Sequence, residues 1–303
     1  MGDWETFVAQ DWVETDVALA PWTTYKVGGP ARWLATPRRL GDLEIIGRAA
    51  VERAVPVVVL GRGSNVVISD AGFPGIVVRL GDSFGSMRWE GGEVVAGAAV
   101  SLPRLARTAV AAGRGGLEFF VGIPGSVGGA VHQNAGCHGR ETKDVLVSAS
   151  VWDLRRGELT SRSVAELGLG YRRSDLTDHE VVVEARFATT PGDPEDGERL
   201  LREITRWRRE HQPGGTLNAG SVFKNPPGDS AGRIIDALGL KGLRRGRVYV
   251  SERHANFFVA EPGASAADIK GLVDDVIRRV AEATGIVLEP EIRFVGGFDE
   301  EGR

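Results

Sequence analysis

Gly122-Ile123-Pro124-Gly125-Ser126-Val127-Gly128-Gly129-Ala130, followed at once by Asn134-Ala135-Gly136, is the stretch on which the reading of this chain turns. Five of these twelve residues are glycines and one is a proline. Both types penalise helix and strand interiors, so the run is expected to be neither. It suits a main chain that approaches a large ligand closely and points successive N–H groups at phosphate oxygens. A second loop, Gly61-Arg62-Gly63-Ser64-Asn65, follows the strand-like run Pro56-Val57-Val58-Val59-Leu60. Two such loops point to one extended ligand with a central pyrophosphate, and a dinucleotide is the natural candidate. A tight turn explains the loop at 61–65 well. It fits the longer run poorly, because ordering nine residues rich in Gly, Pro and small side chains costs too much chain entropy for a mere connector. Neither loop matches Gly-x-Gly-x-x-Gly opening a helix, so the usual nicotinamide fold is not indicated.

With 303 residues the chain has material for two or three domains and a sizeable core. Glycine makes up 42 of the 303 residues, well above the usual ~7%, and the excess belongs in loops and turns. The 37 basic and 41 acidic side chains are interspersed, which argues against a general nucleic-acid binder. One cysteine rules out an internal disulfide framework and fits a reducing compartment. Met1-Gly2-Asp3-Trp4-Glu5 is acidic where a signal peptide would be basic, and the apolar runs are too short for membrane insertion. A soluble, cytoplasmic protein is expected.

Residues 55–60 and 75–80 read as short buried strands, and 93–98, 145–154 and 180–190 as valine-rich strands. Helical spacing of Leu40, Leu43, Ile46, Ala50 and Val51 predicts a helix over about 38–54. Ser101, Pro103 and Gly113 delimit another over 101–112. The stretch 190–197 is polar and full of breakers. It is expected to part an N-terminal unit, 1–193 with a split near 80, from a C-terminal domain, 198–298. A helix at 198–211 follows, with Leu200, Leu201, Ile204 and Trp207 on one face. The last helix, 265–284, is capped by Ser265 and leads to the strand-like run 292–295. Helices and strands mix without regular βαβ alternation, which favours an α+β fold.

Three polar clusters stand out. Gly170-Tyr171-Arg172-Arg173-Ser174 sets an aromatic ring beside two guanidinium groups. Asn218-Ala219-Gly220-Ser221-Val222-Phe223-Lys224-Asn225-Pro226 crowds a hydroxyl, an ammonium and an amide around glycine and proline. Leu288-Glu289-Pro290-Glu291-Ile292-Arg293 brings a carboxylate to the start of a strand. Taken singly, each has a bland explanation: Arg172 and Arg173 as a solvated pair, Ser221 as a turn residue, Glu291 as a strand-edge charge.

Taken together and in this order, the clusters and both glycine loops resemble the UDP-N-acetylenolpyruvoylglucosamine reductases (MurB), in the shorter type II form. The resemblance runs from Trp22-Thr23-Thr24-Tyr25-Lys26-Val27-Gly28-Gly29-Pro30-Ala31 to Glu291-Ile292-Arg293-Phe294-Val295-Gly296. It includes Gly239-Leu240-Lys241-Gly242 and Ser251-Glu252-Arg253-His254-Ala255-Asn256-Phe257. It implies a bipartite FAD-binding unit of the vanillyl-alcohol-oxidase (PCMH) type plus a C-terminal α+β substrate-binding domain. It also implies FAD held without a covalent bond, NADPH as reductant, and reduction of UDP-N-acetylglucosamine enolpyruvate to UDP-N-acetylmuramate for peptidoglycan.

Carried over position by position, the FAD-binding residues are Thr24, Gly61, Arg62, Gly63, Ser64, Asn65, Gly122, Ile123, Pro124, Gly125, Ser126, Gly128, Gly129, Ala130, Asn134 and Gly136. The implied catalytic residues are Arg172 and Glu291, acting on the substrate carboxylate, and Ser221, donating a proton. Tyr171, Lys224, Asn225, Lys241, His254 and Asn256 either contact the sugar nucleotide or support the site. Cys137-His138 stands where the family commonly has Ala-Tyr, with His132 just upstream, so a covalent flavin link and a metal site both come to mind. One cysteine and five histidines without zinc-ligand spacing make metal improbable. Small molecules are the expected partners. A flavin-dependent oxidase of the same superfamily would share the glycine loops but have no reason to keep the polar trio, and intact Arg172, Ser221 and Glu291 argue against a catalytically silent flavin- or nucleotide-binding paralogue.

Overall fold

Apolar side chains in Glu93–Gly97, Leu146–Asp153 and Glu180–Ala188 build the centre of a five-stranded antiparallel sheet in a computed structural model that describes residues 2–298. The strand order is Glu158–Ser163, Leu146–Asp153, Glu180–Ala188, Glu93–Gly97, Met87–Glu90. Ala149, Ala185 and Ala96 pair in one row across the three middle strands. The helices Leu102–Ala111 and Val127–Gln133 bury Leu105, Ala109, Val127 and Val131 in the same core as Val94, Val151 and Phe187. Burying each large aliphatic side chain contributes roughly 1.5–3 kcal/mol.

The helix Val127–Gln133 corrects an expectation, because it takes up Gly128 and Gly129 from a run read as non-helical. Each glycine costs a helix about 1 kcal/mol against alanine, but tertiary packing overrides that here. A Cβ on Gly128 would lie 3.1 Å from the Ala98 Cβ, so glycine lets the helix sit close to the chain leaving the sheet. The Ser126 side chain caps it, accepting from Gly129 N.

A second sheet has the order Val13–Ala18, Pro30–Ala35, Phe73–Val78, Val57–Val59, with the last two strands parallel. The predicted helix over 38–54 is observed as Leu40–Arg53, and its Leu43, Ile46 and Ala49 are fully buried beside Ile76 and Val78. Ser101 stands at the N-cap of Leu102–Ala111 as expected, although its side chain makes no capping bond.

Contacts divide the chain into two compact units. The first comprises Met1–Asp16, Arg32–Arg62 and Pro74–Trp207, and the second Val17–Ala31, Gly63–Phe73 and Arg208–Arg303. The boundary expected at 193–198 therefore differs from the observed division. Pro194–His211 is one continuous helix that belongs to the first unit as far as Trp207. Its Leu201 and Ile204 are buried, whereas Leu200 and Trp207, expected on the same apolar face, are exposed.

The second unit gathers the segment Gly63–Phe73 because Val66–Ile68 pairs in parallel with Arg293–Val295, Val66 opposite Arg293 and Ile68 opposite Val295. Asp70 extends the link: Oδ1 accepts from Ala266 N at 2.8 Å and Oδ2 from Ala267 N at 2.9 Å. Those N–H groups open the helix Ala266–Thr284, whose N-cap is Ser265, as read from the sequence, and forms a capping box with Asp268. Ile269, Leu272, Val273 and Val276 from this helix join Tyr25, Phe223 and Phe258 in the core of the unit. Among the described residues, no helix is long and apolar enough to cross a membrane.

Candidate active site

In the first unit Gly61, which opens one glycine loop, meets Ser126 of the other. A Cβ on Gly61 would stand 2.7 Å from Ser126 Oγ, so glycine is what lets the loops touch. A close approach of two glycine-rich segments suits a dinucleotide, and here Gly61 packs against the Ser126 hydroxyl. The donors differ from those expected. Val127 N donates to Val100 O, Gly128 N to Ala98 O and Gly129 N to Ser126 Oγ, so these N–H groups hold the protein together. Ile123 N is likewise bonded to Phe120 O, while Pro124 and Gly129 are exposed. Arg79, absent from any motif, lies half-buried near Arg62, and burial holds its guanidinium below the usual value.

Asn134, at the left-handed C-cap of Val127–Gln133, is fully buried. Its Nδ2 donates to Gly170 O at 2.8 Å and Glu141 Oε2 at 3.1 Å, and its Oδ1 accepts from Lys143 N at 2.9 Å. Its side chain is thus a structural hub, with its amide engaged by protein partners at both ends. Gly136 pairs with Glu141 in a short hairpin, and its carbonyl accepts from Arg172 Nη2 at 3.1 Å. Gly170 and Arg173 close a tight turn that presents Tyr171 and Arg172. Arg172 sits at φ +54°, a conformation unusual for a side-chain-bearing residue, with its guanidinium 5.0 Å from the centre of the Tyr171 ring. Beyond this loop, Cys137 Sγ donates to Phe119 O at 3.0 Å, and the His138 ring meets Trp207 edge-on at 5.0 Å.

The second unit holds the other candidates. Gly63 adopts φ +62°, and a Cβ there would strike Trp22 O at 2.1 Å. Its carbonyl accepts from Thr24 N at 3.1 Å and Thr24 Oγ1 at 3.3 Å. Asn65 Nδ2 donates to Glu291 O at 3.0 Å, and Asn65 O accepts from Arg293 N at 2.9 Å. Ser221 bridges to Phe257, and Glu291 N donates to Val222 O at 2.7 Å. Ser221 and Glu291 therefore lie on neighbouring chain segments, one residue out of step. Arg172 belongs to the first unit.

Among the expected substrate contacts, Asn256 differs most from a ligand-facing residue. It is 3% exposed; its Oδ1 accepts from Phe223 N at 2.9 Å and its Nδ2 donates to Phe223 O at 2.8 Å. With both amide ends engaged, it braces the Ser221 segment. Asn225 Oδ1 accepts from Ala231 N at 3.1 Å at the start of a short helix. Lys224 pairs with Glu289 at 2.5 Å and Lys241 with Asp236 at 2.7 Å. His254 Nδ1 accepts from Asn256 N at 3.2 Å, which leaves the neutral ring's proton on Nε2. Burial pushes the His254 pKa down and nearby Lys241 adds to the shift, so the ring is neutral at pH 7.

Residues 31–162 match the FAD binding domain family, and residues 212–295 match the family described as UDP-N-acetylenolpyruvoylglucosamine reductase, C-terminal domain. The protein is an FAD-dependent oxidoreductase with a separate C-terminal domain. It is 45% identical over 286 residues to the UDP-N-acetylenolpyruvoylglucosamine reductase of Methylorubrum populi, covering 94% of this chain and 92% of the relative. The Rubrobacter xylanophilus enzyme of the same name is 45% identical over 283 residues, covering 93% and 94%. The crystal structure of the Thermus caldophilus UDP-N-acetylenolpyruvylglucosamine reductase (MurB) superposes with TM-score 0.81 at 38% identity, covering 93% of this chain and 98% of that one. The chain belongs to the UDP-N-acetylenolpyruvoylglucosamine reductase family.

Proposed function

We propose that this protein reduces the enolpyruvyl group of UDP-N-acetylglucosamine enolpyruvate with NADPH, giving UDP-N-acetylmuramate for peptidoglycan in the cytoplasm. The observation that carries the reading is the 45% identity to reductases of this name over nearly the full length of both chains. When bound, FAD supplies hydride transfer from the nicotinamide to the terminal enolpyruvyl carbon. The glycine loops at 61–65 and 122–126 and Thr24 are the residues that would hold it.

Hydride addition leaves negative charge on the carbon bearing the carboxylate, so the protein must stabilise an enolate-like species and supply a proton. Arg172 suits the carboxylate, because a guanidinium presents paired donors and stays charged. Ser221 Oγ gives its proton to the carbanionic carbon, a strong base that makes up for the weak acidity of serine. Glu291 shares the carboxylate end. A carboxylate beside developing negative charge opposes the reaction unless it is protonated or hydrogen-bonded, so the role requires Glu291 to carry or share a proton.

The test is an anaerobic and aerobic assay of purified protein carrying FAD. NADPH consumption should require the enolpyruvyl sugar nucleotide and release no hydrogen peroxide. Substrate-independent turnover with peroxide would overturn the reading in favour of an oxidase. Ser221→Ala should still be reduced by NADPH yet stall at the second substrate. Flavin that stays with acid-precipitated protein would disprove non-covalent binding.

A further inference from the structure

Arg172 is held from two sides by a single rung of a hairpin. Glu141 stands opposite Gly136 in the pairing of Gly136–Cys137 with Arg140–Glu141. The Gly136 carbonyl accepts from Arg172 Nη2 at 3.1 Å, and Glu141 Oε1 lies 3.8 Å from Arg172 Nη1. The Arg172 and Glu141 side chains are only 17% and 21% exposed, so solvent screens their attraction less than at an open surface. The second carboxylate oxygen, Oε2, is fixed by Lys143 Nζ at 2.8 Å and Asn134 Nδ2 at 3.1 Å. Asn134 Nδ2 also holds Gly170 O, the anchor of the turn that displays Arg172. A carboxylate pinned on one oxygen thus keeps its other oxygen beside the guanidinium, while the backbone of Arg172 is held in a strained left-handed conformation.

We propose that Glu141 is a positioning residue for Arg172, orienting its guanidinium to receive the carboxylate of the second substrate. This rests on the role given to Arg172 above. Glu141 touches neither reacting carbon, so its effect is confined to the half-reaction in which the enolpyruvyl group is reduced. Glu141→Gln keeps an oxygen for Asn134 and Lys143 but removes the charge that faces Arg172.

The experiment is stopped-flow on the FAD-loaded enzyme with the two half-reactions separated. Flavin reduction by NADPH should be unchanged in Glu141→Gln, and reoxidation by the enolpyruvyl substrate should slow about ten-fold, the effect of losing a partly buried charge 3.8 Å from the guanidinium. In an Arg172→Ala background, adding Glu141→Gln should produce no further loss. Wild-type reoxidation in Glu141→Gln, an equal fall in both half-reactions, or an undiminished effect without Arg172 would each overturn the proposal. If Arg172→Ala itself reoxidises normally, the role of Arg172 fails first, and the comparison shows that separately. Should Glu141→Gln not fold, Glu141→Asp takes its place: it keeps the charge but withdraws it by one methylene, with an expected loss of about three-fold. Wild-type reoxidation in that variant would also overturn the proposal.

Discussion

Replacing Asn256 by alanine isolates what supports the proton donor. In the native protein the Asn256 amide pairs with both the N–H and the C=O of Phe223, two residues beyond Ser221, while its own carbonyl accepts from Val222 N. Alanine keeps the main-chain bond and removes the other two, leaving a buried donor and a buried acceptor at a residue that is 1% exposed. Each unsatisfied buried polar group costs about 1–3 kcal/mol, so a loss of about 2–4 kcal/mol is expected, allowing for partial relaxation. That is a large share of the ~5–15 kcal/mol that holds a typical protein folded. Hydrogen exchange followed by mass spectrometry reads it locally: amides over 217–225 and 248–260 should exchange about 30- to 1,000-fold faster. Protection over 146–153 and 180–188, in the first unit, should be unaffected. Because the same bonds set the path of the chain around Ser221, reoxidation of the flavin by the sugar nucleotide should slow while NADPH still reduces it. A change in exchange of less than about three-fold, or slowing spread equally over both half-reactions, would refute the reasoning.

Gly63→Ala places a Cβ 2.1 Å from Trp22 O at a positive φ, so FAD retention during gel filtration should fall sharply even where the protein stays folded. Asp70→Ala removes both acceptors at the start of Ala266–Thr284 and should cost about 1–2 kcal/mol, measurable as a lower denaturation midpoint at unchanged slope. The depressed pKa of His254 means that the folded state binds this proton less readily than the unfolded state does. Its contribution to stability is therefore present above the ordinary value of 6.5 and is lost as pH falls through the folded-state value. Thermal melts from pH 7.5 down to 5 should show this decline, and His254→Gln should flatten it.

Long periodic segments were legible in advance: the observed Ala266–Thr284, Leu102–Ala111 and Leu40–Arg53 lie within two residues of the ranges that apolar spacing and cap residues predict. The membership of residues 63–73 in the second unit was not. A three-residue strand carries too little pattern to reveal a parallel partner near the other end of the chain, and Asp70 looks like any turn aspartate until the helix it caps is in place. The helix at 127–133 was missed because glycine content records local propensity, whereas its stability comes from close packing on a neighbouring segment.

The site shows the same divide between residue type and role. Asn134 and Asn256 stand in motifs rich in glycine and polar groups, and polarity beside glycine reads as ligand contact. Both are buried, and both spend their amides on the backbone of an adjacent loop: Asn134 on Gly170 and Lys143, Asn256 on Phe223. An amide can replace a missing strand neighbour by offering one donor and one acceptor, and a loop without regular pairing needs such a replacement. Much of the polar content of these motifs therefore specifies loop shape. In the proposed function, chemistry falls to the side chains these loops display, Arg172 among them, which its turn holds at φ +54°. Glu141 carries no such mark in the sequence; only the hairpin register that sets it opposite Gly136 brings its carboxylate to the guanidinium.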